Sequence, residues 1–148
     1  ALKDGQEPTG NGRRQSYHHR PIPRMSNTYI APGSERAEDI IKDTPTGLYV
    51  TKMGGGQVNT ATGDFVFEVA QGFLIRDGKI GEPVRGATLT GNGPEALQLI
   101  DRIGNDQGFT IGTCGKDGQG APVCDAQPTI RIKELIVGGI AASEEVAQ

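Results

Sequence analysis

The chain has 148 residues, a formal net charge of −3, 23 glycines and no tryptophan. That length suits one domain with a buried core. The mild acidity excludes a basic field that would draw the chain directly to nucleic acid. No apolar run approaches the roughly 20 residues that cross a bilayer as a helix, and no membrane partner is expected. The abundance of glycine favours turns and short strands over long helices. The chain opens on Ala1 in a polar stretch without a strong element signal, so it is expected to begin inside a longer protein.

Residues 1–24 carry Pro8, Pro21 and Pro23. Each removes a backbone donor and turns its predecessor away from helix, which predicts an irregular or inter-domain segment. Its arginines Arg13, Arg14, Arg20 and Arg24 read as a solvated extended run. The folded domain is expected over 25–140, with a frayed tail at 141–148.

"MSNTYIA" (25–31) reads as a short strand, and Ser34 as the cap of a helix over 35–42 anchored by Ile40 and Ile41. "GLYVTKM" (47–53) has strand character that Gly54, Gly55 and Gly56 break. "DFVFEVAQGFLIRDG" (64–78) begins with Phe65, Phe67 and Val69 on one side. Asp77-Gly78 is a hairpin signal, because a type I′ turn needs positive φ at both central residues. A strand is expected over 84–90. "GPEALQLIDRIG" (93–104) reads as the clearest helix, with Pro94 in its first turn and Leu97, Ile100 and Ile103 as its apolar stripe. Residues 112–122 read as loop, and 128–139 as one or two final strands. The predicted class is α+β: a mostly antiparallel sheet, or a partly closed barrel, with two short helices.

Two cysteines, Cys114 and Cys124, are too few for a disulfide scaffold. Taken alone, Cys114 in "GTCGKDGQ" (112–119) is open to four roles: nucleophile, half of a disulfide with Cys124, metal ligand, or ordinary loop residue. His18 and His19 are candidates for a rival metal site, though adjacent histidines in an irregular segment are more often solvent-facing or packed.

The runs "PTGNGRRQSY" (8–17), "PRMSNTYIAPG" (23–33), "GGGQVNTATGDFVF" (54–67), "PVRGATLTGNGPEAL" (83–97), "IGND" (103–106), "GTCGKDGQ" (112–119) and "QPTIRI" (127–132) resemble, in that order, the C-terminal part of the TldD/PmbA family, its TldD side in particular. The resemblance implies a cytoplasmic zinc metallopeptidase that trims unfolded peptides, also known as a modulator of DNA gyrase or a peptide-maturation protein. It implies two zinc-binding histidines and a general-base glutamate in an HExxxH motif, with Cys114 as the further protein ligand. It implies partnership with the chain's own N-terminal domain and with a sister subunit, TldD- or TldE-type, as homo- or heterodimer. The alternative is a non-catalytic partner-binding or assembly module of such a complex.

The sequence departs from the family pattern in containing no HExxxH. It is therefore expected to hold no catalytic residue, to supply one ligand of three, and by itself to be inactive and without zinc. Gly112 and Gly115 are expected to let the backbone turn beside the metal, and Lys116 to favour the thiolate. Peptide substrate is expected to add as a strand to a sheet edge. Gly54, Gly55, Gly56 and Gln57 are candidates for that contact, and Arg13 and Arg14 for a peptide cleft.

Overall fold

The computed structural model describes Gly5, Glu7 and residues 10–139. Pro8 and the tail expected to fray at 141–148 lie outside the described residues. Among the described residues the chain forms two units that interleave in sequence, one from residues 10–32 and 107–128, the other from 33–106 and 129–139.

The first unit is built on a hairpin of β9 (Gly108–Lys116) and β10 (Gln119–Gln127). Its turn is Asp117-Gly118, with φ of 50° and 71°. Lys116 pairs with Gln119, so the connection is a two-residue loop with positive φ at both positions. The expectation of a loop over 112–122 is corrected here. Pro122 is accommodated because its carbonyl accepts a bond from Arg13 on the side away from β9. Residue N and C=O share a side in a strand, so the missing N–H falls where no ladder bond is needed. β3 (Asn27–Tyr29) runs parallel to β10 on that side, from Cys124 onward. Upstream, β1 (Gly12–Arg13) pairs with β2 (Ile22–Pro23), and this two-residue ladder is the regular structure of the segment expected to be irregular.

In the second unit, β4 (Thr46–Val58) and β5 (Asp64–Arg76) form a long hairpin. β5 returns through Asp77-Gly78 into β6 (Lys79–Pro83), as predicted, with φ of 51° and 71° in the turn. β7 (Thr88–Asn92) pairs with the first half of β5, and β12 (Ile136–Gly138) with β7. The glycine run does not end β4. The strand passes it through register shifts between Val50 and Gly56. A Cβ at Gly56 would meet Phe67 Cδ1 at 2.2 Å and the Val66 carbonyl at 2.5 Å, so only glycine lets β4 close on β5 there. The sheet is open, ending at β4 and β12. The antiparallel-sheet form of the predicted class is the one observed, without the barrel.

Both helices are shorter than expected. α1 (Ala37–Lys42) begins after Arg36, and no side chain caps it. Its predicted anchor Ile40 is buried. α2 (Gly93–Gln98) ends at Leu99, and the chain continues as β8 (Ile100–Ile103), antiparallel to β11 (Ile130–Ile132). Ile100 and Ile103 lie opposite Ile132 and Ile130, where β-branched side chains pack well. Leu97, expected in an apolar stripe, is 61% exposed. The core of this unit gathers Ile40, Val69, Ile75, Ala87 and Ala96.

Candidate functional site

Cys114 sits in β9 opposite Ala121, and Cys124 in β10 opposite Ile111. The two cysteines are three register positions apart, roughly 10 Å at the strand rise, and an odd offset sends them to opposite faces. A disulfide needs Cα atoms within about 7 Å. Both thiols are free, so the disulfide alternative falls on register.

The residues upstream of β3 line the face that carries Cys114. Arg24 is 5% exposed, which corrects the reading of the arginine run as uniformly solvated. Its Nη2 donates to the carbonyl of Cys114 and, at 3.1 Å, to that of Gln119. One guanidinium nitrogen thus ties both strands of the hairpin next to its turn. Gln119, also buried, accepts from the Gln15 backbone N–H at 3.2 Å and donates to the Arg20 carbonyl at 3.0 Å. Gln15 returns a bond by accepting from the Gly120 N–H at 2.6 Å. Lys116 Nζ donates to the Pro23 carbonyl at 3.0 Å.

The Arg24 side chain beside Cys114 holds the thiol below its ordinary range. The Met25 backbone N–H acts in the same direction, partial burial opposes both, and the Arg24 and Lys116 charges add to the lowering. Lys116, the cation expected to favour thiolate, is therefore the lesser contributor, and Arg24 is the residue that sequence reasoning missed. Gly112 and Gly115 do not turn the chain. They are strand residues, and the turn belongs to Asp117-Gly118.

Arg13 donates from Nη1 to the Met25 carbonyl and from Nη2 to that of Pro122, both at 2.7 Å, while Arg14 is exposed. His19 Nδ1 shares a 2.8 Å hydrogen bond with Ser16 Oγ, and the His18 ring lies against Tyr17 with centroids 3.7 Å apart. Arg13 and Cys114 thus come together in the first unit. Gly54, Gly55, Gly56 and Gln57 belong to the second, on the exposed far half of β4. β4 pairs there only with β5 among the described residues. An open groove lined by Gln57, Val58, Asn59, Asp64, Phe65 and Val66 marks that end of the hairpin.

A half-buried thiol, biased towards thiolate and fixed on a hydrogen-bonded strand, fits the role of one soft zinc donor. No cluster of three or more His, Cys, Asp or Glu side chains suited to a metal gathers among the described residues. The described chain offers that single donor and not a complete ligand set.

Residues 1–139 match the family model described as the PmbA/TldA metallopeptidase C-terminal domain. The chain is 49% identical over 135 residues to the metalloprotease TldD homolog of Buchnera aphidicola subsp. Schizaphis graminum, covering 88% of this chain and 28% of that protein. It is 36% identical over 135 residues to the zinc metalloprotease TldD homolog of Saccharolobus solfataricus, covering 91% of this chain and 30% of that one. The crystal structure of TldE from Thermococcus kodakarensis superposes with a TM-score of 0.72 at 25% identity, over 92% of this chain and 29% of its own. The chain thus spans less than a third of the length of these relatives. Matched along nearly all of its length, it belongs to the PmbA/TldD metallopeptidase family, as a C-terminal domain of the TldD type.

Proposed function

We propose that this chain is the C-terminal portion of a zinc metallopeptidase acting on unfolded peptides, and that Cys114 supplies a thiolate ligand to a zinc whose HExxxH ligands lie upstream. The observation that carries the reading is the setting of Cys114, with a buried guanidinium and the Met25 N–H both favouring its thiolate. The zinc named for the Saccharolobus relative agrees with it.

When bound, zinc supplies Lewis acidity to a peptide carbonyl and makes water nucleophilic near neutral pH. The residues of this chain hold and orient. The β9–β10 ladder fixes the Cα–Cβ direction of Cys114, and Arg24 and Gln119 fix the strand end next to it. The exposed edge of β4 at Gly54, Gly55, Gly56 and Gln57 offers backbone hydrogen bonds to an extended peptide without demanding a side-chain sequence. Gly55 has no neighbour within 4 Å of a Cβ position, so the sheet face above it is open. Arg14 offers an exposed cation to peptide carboxylates. Arg13 is committed to two carbonyls and shapes the hairpin face.

Cys114→Ala in the full-length protein tests the reading. Zinc content falls well below stoichiometric, and peptide cleavage is lost with it. A second reading, a partner-binding or assembly module, draws on the exposure of Tyr29 at 59%, Phe109 at 67% and Ile111 at 89% on the first unit's sheet. A sister TldD/TldE-type subunit or the chain's own N-terminal domain would be the partner. Undiminished zinc and cleavage in Cys114→Ala would favour that reading.

A further inference from the structure

Arg24 poses a problem of burial. A cation removed from water is costly unless charge or hydrogen bonds compensate, and Arg24 is 5% exposed. Its Nη2 is satisfied twice, but Nε and Nη1 are buried and have no hydrogen-bond partner among the described residues. An acceptor-rich or anionic group is what these idle donors fit. The two carbonyls that Arg24 does hold belong to Cys114 on β9 and Gln119 on β10. Gln119 flanks the two-residue turn and Cys114 lies two residues before the other flank, Lys116, so the guanidinium spans the hairpin near the strand end that carries the sulfur. Loss of the clamp would free the turn end of β9 to twist, and the thiol would move with its carbonyl.

Resting on the reading of Cys114 as a metal ligand, we propose that Arg24 is its positioning residue: it clamps both strands of the hairpin and so holds the Cys114 sulfur where the metal binds. Arg24 is not a ligand itself, since a guanidinium has no lone pair to give. It acts as outer-shell partners of metal ligands act, by orientation.

The test uses the full-length protein stripped of metal and loaded with cobalt(II), whose thiolate charge-transfer absorption reports a sulfur in the coordination sphere. Metal affinity is read in parallel by chelator competition, and far-UV circular dichroism reports the fold. Wild type shows the band, and Cys114→Ser lacks it. Arg24→Met retains the fold, binds metal about 10- to 100-fold more weakly and loses most of the band. Arg24→Lys keeps the charge without the planar fork and falls between. An Arg24→Met protein with wild-type band and affinity overturns the inference. If Arg24→Met fails to fold, Arg24→Lys decides: a weakened band in a folded protein supports the clamp, and an unchanged one refutes it. A Cys114→Ser protein that keeps band and affinity sinks the ligand reading and this inference together. Loss in Cys114→Ser with none in the Arg24 variants sinks only the inference.

Discussion

The two units hold themselves together by different means. The sheet unit buries Ile40, Val69 and Ile75 with two alanines, and this apolar core closes behind open β-strands. Among the described residues of the hairpin unit the buried apolar side chains are Ala121 and Ala126, and the buried polar ones are Arg24 and Gln119. Arg13, Gln15, Arg24, Lys116 and Gln119 each reach a backbone group of a distant segment. Apolar burial is non-directional and tolerates small shifts. Hydrogen bonds to carbonyls are directional and leave a costly orphan when one partner goes. The unit that presents the thiol is thus the one built from contacts that fix geometry.

Truncating one buried side chain in each unit of the full-length protein is the strongest challenge to this contrast. Ile75→Ala is expected to cost about 2–5 kcal/mol by cavity formation. Its effect on amide hydrogen exchange concentrates in β4, β5 and β6, next to Ile75. Gln119→Leu keeps an apolar body but strands the Gln15 N–H and the Arg20 carbonyl. Both groups are only part-buried, so the substitution is expected to cost about 0.5–1.5 kcal/mol for each hydrogen bond lost, with protection lost in β9 and β10. Equal loss across both units in either variant would erase the distinction.

The same contrast explains what the sequence disclosed. In the sheet unit, alternation at Phe65, Phe67 and Val69 and the Asp77-Gly78 turn were legible because both are local signals. Asp117-Gly118 is the same dipeptide with nearly the same positive φ values, yet Gly112, Gly115, Gly120 and Pro122 around it masked it as loop. Only the Arg13 bond shows why Pro122 is tolerated in β10. α2 was overextended because Leu97, Ile100 and Ile103 satisfy a helical period, and the Ile130 and Ile132 partners that make β8 a strand lie about thirty residues on. Arg24 was invisible as a buried residue, since the carbonyls that hold it are 90 and 95 positions away. Cys114 was found through resemblance. Its neighbours were found only in the fold.

A finer comparison sets the two Asp-Gly turns side by side. Gly118 has φ of 71° and nothing within 4 Å of a Cβ position. Gly118→Ala therefore costs about 1–2 kcal/mol from the left-handed backbone alone. Gly78 has the same φ, but a Cβ would stand 2.2 Å from the Lys42 carbonyl oxygen. Gly78→Ala pays the same backbone cost and must also displace the end of α1. Denaturant midpoints of the two variants should differ, with Gly78→Ala the lower. Equal midpoints would show that the sheet unit yields at α1 without strain.

Acid offers the mildest probe, because it acts on surface pairs. Glu35 lies below its ordinary value of 4.5, chiefly through its hydrogen bond with Arg102. Asp101 lies below its ordinary value of 3.8, chiefly through the bonds Arg131 donates at 2.6 and 2.9 Å. Both carboxylates belong to the sheet unit. A lowered folded-state value means that the unfolded chain binds the proton first as pH falls. The stabilisation is fully present above the ordinary values and is lost as pH drops through the lower, folded ones. Hydrogen exchange in β8 and β11, which carry Asp101 and Arg131, should therefore quicken below about pH 4, after correction for the intrinsic rate. Asp101→Asn should remove the Asp101 share of that dependence while leaving the hairpin unit's profile as it was. If the variant and wild type soften in parallel through the same pH range, the Asp101–Arg131 pair is not what couples acid to the sheet unit.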